Sequence, residues 1–307
     1  MVGWSVNLLG LRVFVSCIGL VGNLFLILSI IQTNFSQIKS FEVFLLGLAA
    51  ANLVDIVIVN IYDIIIFQTS STTTTGSWLC HSLKFLTVFG EITSILFTVL
   101  ISIFRYLKLR DTDKRVNLPI CLDSVRSAWT VSGVCVMLST LVSLPIFVIN
   151  LQDPAENVTR SSSGCPPDFF QCSKNDCPIL NRFYKYLFIL VCNLLPLIIV
   201  TVTGCLIITV LLSQMKTVTP AVSGSSQFGR KSKSLRRQRS TIAVLAAMVL
   251  FQVDWTLYLI FQLTFSPTDF PFWAEMQFFV STSYTSISPY VYGIGNNLFS
   301  LNNFIKK

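Results

Sequence analysis

The sequence predicts an all-α membrane protein built as a seven-transmembrane helix bundle. Of its 307 residues, 53% are hydrophobic and only 12% are charged, and the mean hydropathy is +0.70. Soluble domains carry about 25% charged residues, so lipid is the expected solvent of this chain. Seven apolar stretches are long enough to cross a bilayer as helices. They run from about 8–31, 43–67, 80–107, 127–149, 183–212, 240–265 and 272–295.

The distribution of Lys and Arg predicts the orientation of these spans. Basic residues cluster in the loop after span 3 and in the loop at 214–239, whereas the loops on the other side hold only Arg160, Lys174 and Arg182. Cytosolic loops carry such an excess, so the N-terminus is expected outside. The net charge of +8 therefore reflects membrane topology and not a nucleic-acid partner. We expect one domain, 1–307, with a long extracellular loop at 150–182.

Polar residues in spans 1 and 2 predict an interior that is partly polar. Asn23 follows a glycine within span 1, and span 2 holds Asn52, Asp55 and Asp63. A carboxylate within a span is costly unless it faces an interior or a wet cavity. Asp55 is therefore expected to point inward as a structural acid. Asp63 lies near the outer end of the span, where hydration explains it equally well.

Span 3 is the axis of the predicted bundle. Cys80 and Arg105 lie 25 residues apart, which corresponds to roughly 37 Å along a helix and places them at opposite membrane faces. Lys84, Thr87 and Glu91 share one stripe of the outer half at i, i+3 and i+7. Ionisable groups in a span are candidate ligand contacts. Lys84 either lines a cavity or extends to the outer surface, and Glu91 lines the cavity either charged or neutral.

The remaining spans add further candidates. Trp129 lies in span 4, Pro196 in span 5 and Asp254 in span 6. Asp254 either serves a ligand cavity or holds span 6 against span 7. Tyr258 and Tyr284 are aromatic residues, which more often pack between helices than bind a ligand. A ligand pocket between helices nevertheless needs aromatic side chains, so both are candidates.

The predicted outer loop carries two features of an extracellular segment. Asn157 opens a glycosylation sequon, and Cys165, Cys172 and Cys177 follow it. With Cys80, these cysteines make an even number on the oxidising side of the membrane. We expect Cys80 to form a disulfide with Cys172 or Cys177, because these two lie closer to span 5.

The residue pattern does not indicate an enzyme. The chain has one histidine, His81, and no group of His, Cys and carboxylates has metal-ligand spacing. It contains neither a phosphate-binding loop nor a Gly-x-Ser-x-Gly motif. We therefore expect no catalytic residue, no metal and no cofactor. A small-solute transporter is an alternative, which is disfavoured because the spans show no repeats and no discontinuous pairs.

At this point the motifs resemble those of rhodopsin-like G-protein-coupled receptors. The motifs are Gly22-Asn23, Leu48-Ala49-Ala50-Ala51-Asn52, Cys80, Phe104-Arg105-Tyr106, Trp129, Pro196 and Ser288-Pro289-Tyr290-Val291-Tyr292. The resemblance implies a polar core that contains Asn23 and Asn52. It also implies that a G protein docks beside Arg105. The residues of coupling and activation would be Arg105, Tyr106, Pro289 and Tyr292.

Three positions depart from the usual pattern of that family. Asn52 replaces the usual Asp of span 2, Phe104 replaces the acid before Arg105, and Ser288 replaces the Asn before Pro289. The resting ion pair at the arginine is therefore missing. The resemblance then implies appreciable signalling without an agonist.

These departures resemble a chemosensory branch, the vomeronasal type 1 receptors, and most closely their fish counterparts, the olfactory receptor class A-related proteins. The likeness rests on 104–110, 116–119, 288–297 and the sequon at Asn157. It implies a plasma-membrane receptor of chemosensory neurons that binds an odorant or pheromone in the outer half of the bundle. Its partner would be a heterotrimeric G protein of the inhibitory or olfactory class. The implied ligand contacts are Lys84, Thr87, Glu91, Asp254, Tyr258 and Tyr284. Bitter taste receptors rank second, because they usually lack the Cys80-type disulfide and the Arg-Tyr pair.

Overall fold

The computed structural model of the chain is a bundle of helices. It describes residues 2–32, 38–69, 77–114, 123–149, 178–217, 228–265, 273–296 and 298, and these residues contain no β-strand. The helices are α1 (Val2–Ile31), α2 (Ser40–Thr69), α3 (Ser77–Lys114), α4 (Val125–Ser143), α5 (Pro145–Ile149), α6 (Ile179–Phe188), α7 (Leu195–Thr217), α8 (Phe228–Thr264) and α9 (Trp273–Gly295), and a π-helical segment, Ile189–Leu194, joins α6 to α7.

Length and composition identify the helices that can cross a membrane. Within the described residues, six helical stretches are long and apolar enough to do so. These are Gly10–Ile31, Ser40–Ile61, Trp78–Asp111, Val125–Val148, Ile179–Ser213 and Gln238–Thr264. The seventh predicted span falls on α9, which is less apolar because Ser and Thr occupy six positions between 281 and 288.

Helix α3 lies at the centre of the bundle. It packs against α2, α4, α5, α7 and α8, while α1 lies between α2 and α9. Phe97 and Ile101 of α3 are buried in the main core with Phe44 of α2 and Phe251 of α8. In contrast, α4 exposes large apolar side chains such as Met137. This outward apolar face is what a lipid-facing helix requires.

Span 5 contains an irregular segment of helix. The Ile189–Leu194 segment is π-helical and lies just before Pro196. Proline has no N–H to donate and its ring clashes with the carbonyl four residues earlier, which widens the preceding turn. The wider turn places Cys192 and Asn193 in the interior.

Several helices extend beyond the predicted spans. Helix α3 continues to Lys114, and the basic stretch 214–239, predicted as a loop, is helical at both ends because α7 reaches Thr217 and α8 begins at Phe228. Lys, Arg and Gln are good helix formers, so an apolar run marks the membrane-crossing part of a helix and not its end. Of the predicted loop at 150–182, residues 150–177 lie outside the described part of the chain.

Candidate functional site

A polar network in the middle of the bundle connects four helices. The Asn23 amide donates to the carbonyl oxygens of Gly19 at 2.8 Å and Thr285 at 2.9 Å. Asn52 Nδ2 donates to Asn23 Oδ1 at 3.2 Å, and its Oδ1 accepts a 2.7 Å bond from the Ser94 hydroxyl. The predicted polar core of Asn23 and Asn52 is therefore a hydrogen-bonded unit that joins α1, α2, α3 and α9.

The network also explains how Ser288 is accommodated before the proline of α9. Ser288 is fully buried, and its hydroxyl accepts a 3.3 Å bond from Asn52 Nδ2. A short hydroxyl at this position therefore keeps α9 connected to α2. The bond compensates for the amide that the family pattern places at Ser288.

Helices α1 and α9 approach closely beside this network. A Cβ atom on Gly22 would lie 2.6 Å from the Tyr290 ring and 2.9 Å from Pro289. The Tyr290 hydroxyl donates to the Ile18 carbonyl at 2.8 Å. Only glycine allows this approach, because any Cβ at position 22 requires the helices to separate.

Towards the Cys80 end of α3, Glu91 lies buried among groups from neighbouring helices. Electrostatic interaction links it to Asp55 of α2, which is buried as well, and the Tyr258 hydroxyl of α8 hydrogen-bonds to its carboxylate. The two helices that carry the acids are close at this level, since a Cβ on Gly90 would lie 3.1 Å from Asp55 Cβ. Two carboxylates therefore occupy one buried region.

Aromatic and polar side chains surround the two acids. Tyr184 and Cys192 interact electrostatically with Glu91, which places parts of α6 and the π-helical segment near it. The Trp255 and Tyr258 rings meet edge to face, with centroids 5.1 Å apart. We name the set the Glu91 cluster. Its members are Asp55, Glu91, Tyr184, Cys192, Trp255 and Tyr258.

The structure places Lys84 and Thr87 on the same helix face as Glu91. Lys84 is 1% exposed, so its side chain is buried within the bundle and does not extend to the surface. It lies two turns from Glu91, which is about 10 Å along the axis. The Thr87 hydroxyl donates to the Leu83 carbonyl of its own helix at 3.0 Å, so its bonding is already satisfied locally.

The described contacts of Asp254 and Tyr284 do not include Glu91. Asp254 hydrogen-bonds to Ser283 of α9 and so joins α8 to α9, while its role towards a ligand stays a prediction. The Tyr284 hydroxyl is 2.8 Å from Thr98 Oγ1, two turns of α3 beyond Glu91. Tyr284 is therefore part of the central core.

At the other end of α3, the guanidinium of Arg105 contacts two helices. Arg105 Nη2 donates to Asn296 Oδ1 at 3.0 Å, and the Ser240 hydroxyl donates to the same oxygen. Asn296 Nδ2 in turn donates to the Tyr292 carbonyl at 2.7 Å. The guanidinium also lies over the Phe41 ring, 3.5 Å from its centroid. We name Phe41, Arg105, Ser240 and Asn296 the Arg105 cluster.

Phe104 takes part in a separate aromatic contact beside this cluster. Its ring stacks on Phe41, with centroids 6.2 Å apart, and meets Phe44 edge to face at 5.4 Å. The residue before Arg105 thus fixes the ring on which the guanidinium rests. Arg105 is held by an amide and an aromatic face, which replace the carboxylate that this position lacks.

The other residues predicted for the Arg105 end are in the core or close to it. Tyr292 is completely buried, and Pro289 lies inside α9. Tyr106 is half-buried and packs against the main core. Among the described contacts, no hydrogen bond links Tyr106 to Arg105.

Two predictions concern residues that the structure describes only in part. Cys17, Cys135, Cys192 and Cys205 are free, and Cys80 is not one of these. Its expected partners, Cys172 and Cys177, lie outside the described residues, as does Asn157. The pairing and the glycosylation stay predictions. No group of three metal-ligating side chains occurs among the described residues.

Residue patterns alone did not identify most members of the two clusters as site residues, among them Phe41, Tyr184, Cys192 and Trp255. Asp55 was expected only as a structural acid, and Ser240 and Asn296 were not candidates. Asp55 lies on α2 and meets Glu91 only through the packing of α2 on α3. Asn296 belongs to the 288–297 motif, so its presence in that motif is the signal that could have identified it.

Comparison with known proteins is consistent with this arrangement. A family model described as "7 transmembrane receptor (rhodopsin family)" matches residues 22–292. The dopamine receptor 2 of Caenorhabditis elegans is 30% identical to the chain over 161 residues. That alignment covers 50% of this chain and 18% of the receptor, so the chain spans less than a fifth of the length of this curated relative.

Proposed function

Because the chain belongs to the rhodopsin family of seven-transmembrane receptors, we propose that it is a chemosensory receptor. It binds a small odorant or pheromone at the Glu91 cluster and activates a heterotrimeric G protein at the Arg105 cluster. The Cys80 end of α3 faces outward and the Arg105 end faces the cytosol. The receptor operates in the plasma membrane of chemosensory neurons, and its G protein is of the inhibitory or olfactory class.

One observation carries this proposal: a single central helix, α3, bears a buried polar cluster in one half and a half-buried arginine near the other end. Glu91 and Arg105 are 14 residues apart, or about 21 Å along the axis. Glu91 hydrogen-bonds to Tyr258 of α8, and Arg105 shares the Asn296 Oδ1 acceptor with Ser240 of α8. A shift of α8 against α3 therefore changes both clusters together.

Packed aromatic rings of α8 and α9 lead from the Glu91 cluster to Thr98 of α3, part of the way towards the Arg105 cluster. The Trp255 ring is 5.1 Å from Tyr258 and 5.8 Å from Phe251, measured between centroids. Phe251 meets Tyr284 at 5.4 Å, and Tyr284 is the residue beside Thr98 of α3. A ligand that moves Tyr258 disturbs a continuous row of close-packed side chains. Such a row does not deform gradually, so a displacement at one end is passed on as a discrete rearrangement.

Agonist binding then shifts the equilibrium between two arrangements of the bundle. A differential affinity of a few kcal/mol for the active arrangement is sufficient. In that arrangement α8 separates from α3 at the Arg105 end, Asn296 releases the guanidinium, and a helix of the G protein docks beside Arg105. Tyr106, Pro289 and Tyr292 support the docking side.

The test is a calcium assay in cells that express the chain with a promiscuous G protein. The panel contains small amines, small aromatic acids, and sulfated or carboxylated steroids. We expect a concentration-dependent response that Arg105→Ala abolishes at equal surface expression. Solute flux that survives Arg105→Ala, without any G-protein response from the unmodified chain, would instead support a transporter.

The match to a dopamine receptor favours a second candidate, a receptor for a signal that the animal itself releases. That relative is named for dopamine. The two candidates differ in the tissue that expresses the receptor, whereas both activate a G protein. Transcript in chemosensory epithelium supports the first, and transcript confined to the central nervous system supports the second.

A further inference from the structure

We propose that the Glu91 cluster takes a protonated amine, with Glu91 as the counter-ion and Asp55 as a second negative charge behind it. This inference rests on the proposed function, since it assigns the chemical class of the ligand at the same site. The part of the ligand that enters the Glu91 cluster most deeply therefore carries the positive charge. Aromatic acids and sulfated steroids are therefore not ligands of this cluster.

The charges of the cluster carry the first part of the argument. Glu91 is 6% exposed and Asp55 is 3% exposed, and the Asp55 carboxylate interacts electrostatically with that of Glu91. Two neighbouring acids in a bundle interior repel each other unless a cation or a proton lies with them. An ammonium group supplies that charge together with hydrogen-bond donors.

Unsatisfied polar atoms carry the second part. Glu91 Oε1, Trp255 Nε1 and both amide atoms of Asn193 are among the buried side-chain atoms of the described residues that have no hydrogen-bond partner, and Asp254 Oδ2 is another. Glu91, Trp255 and Asn193 come from α3, α8 and the π-helical segment, three of the elements that contribute to the cluster, and Trp255 and Asn193 are at least 95% buried. Buried polar atoms of native proteins are almost always paired, so polar groups from outside the chain are expected here.

The rings of the cluster match the same ligand class. Tyr258 hydrogen-bonds to Glu91 and packs edge to face against Trp255, and Tyr184 lies on another side of Glu91. Tyr and Trp faces attract an ammonium group within about 6 Å of the ring centroid. A carboxylate flanked by aromatic faces therefore favours a cation over an anion of equal size.

The position of Lys84 is compatible with this assignment. Lys84 lies two turns from Glu91 towards the Cys80 end of α3. The Cα–Cβ bonds of a helix tilt towards its N-terminus, so the Lys84 side chain leads away from Glu91. A ligand whose ammonium reaches Glu91 leaves its other end nearer to Lys84.

The experiment measures thermal unfolding of the purified full chain in lipid nanodiscs. The probes are 2-phenylethylamine and isopentylamine at millimolar concentration, each compared with the alcohol and the carboxylic acid on the same carbon frame. We expect an amine to raise the melting temperature by a few degrees, because a ligand that binds only the folded state stabilises it. The matched alcohol and acid leave the melting temperature unchanged.

Two matched variants locate the effect. Glu91→Gln keeps the size of the side chain, and we expect it to weaken the amine at least about tenfold, as is typical when a hydrogen bond to a charged group is lost. Asp123→Asn removes a carboxylate at the Arg105 end of α3, one that pairs with Lys108, and is expected to retain the full amine response. A response that Glu91→Gln retains, or that only Asp123→Asn removes, overturns the proposal.

The remaining outcomes separate this inference from the proposed function. No shift from either amine, or an equal shift from the matched alcohol or acid, overturns the amine assignment. An acid that activates the G protein equally in the unmodified chain and in Glu91→Gln refutes the inference and leaves the receptor proposal intact. Amine binding lost in Glu91→Gln, without G-protein activation in any variant, refutes the receptor proposal and leaves the amine site intact.

Discussion

Replacing Asn296 by alanine is expected to raise signalling in the absence of agonist. Asn296 Oδ1 accepts hydrogen bonds from Arg105 Nη2 and from the Ser240 hydroxyl, so one side chain joins α9 to α3 and α8. The same guanidinium rests on Phe41. These contacts occupy the surface where a G protein is proposed to dock, and Asn296→Ala removes the hydrogen-bonded part of them.

The size of the effect depends on the hydrogen bonds that are present in the resting arrangement of the bundle and absent in the active one. The bond from Asn296 Nδ2 to the Tyr292 carbonyl lies within α9 and is available in both. The bond from Arg105 involves a charged donor and contributes about 1.5–3 kcal/mol. Its loss shifts the equilibrium by a factor of about 10–150. A receptor that is about 1% active at rest then becomes about 10–60% active, with the lower values expected because Phe41 still covers Arg105.

The assay is agonist-free reporter activity, normalised to the amount of receptor at the cell surface. Asn60→Ala serves as the matched control, because this amide bridges α1 and α2 through Ser16 at 2.9 Å and lies far from Arg105 along the chain. Ser240→Ala removes a neutral bond and should give a smaller increase. Basal activity of Asn296→Ala at or below that of the unmodified chain would refute the reasoning.

Three further predictions concern the stability of the bundle. Gly22→Ala should lower the melting temperature and the surface expression, because its Cβ meets the Tyr290 ring, whereas Gly133→Ala, with nothing within 4 Å, should change neither. Asn52→Leu should destabilise the fold by about 1–3 kcal/mol in chemical or thermal unfolding, because its polar partners stay buried and lose their bonds; an unchanged unfolding midpoint contradicts the network. Cys80→Ala should reduce surface expression as much as replacement of its partner, Cys172 or Cys177. The double variant should be no worse than either single variant, and additive losses would exclude that pairing.

The fold class followed from the sequence because lipid imposes a simple rule on composition. Seven apolar runs and few charges predict a helical bundle, and the family match over residues 22–292 confirms it. The ends of the helices were predicted less well, as the extension of α8 back to Phe228 illustrates. Hydropathy reports where a helix crosses lipid, whereas hydrogen bonding in the flanking basic stretches decides where it ends.

The candidate site was only partly predictable, because periodicity places residues on a face of one helix but does not pair faces. Helical periodicity placed Lys84, Thr87 and Glu91 on one face of α3, and all three side chains are buried. Asp55 and Asn296 could not be assigned from their own helices, since each acquires its partner from α3 through tertiary packing. The chemosensory subfamily and its ligand stay predictions.

The most direct test of the account is guanine-nucleotide exchange on an inhibitory-class G protein by the purified chain in nanodiscs. The unmodified chain, Asn296→Ala and the double variant Asn296→Ala with Arg105→Ala are compared at equal amounts of folded protein. The account predicts measurable agonist-free exchange for the first, at least about tenfold faster exchange for the second, and none above background for the third. Fast exchange that persists without Arg105 would contradict it, and so would background exchange from all three with inhibitory and olfactory G proteins alike.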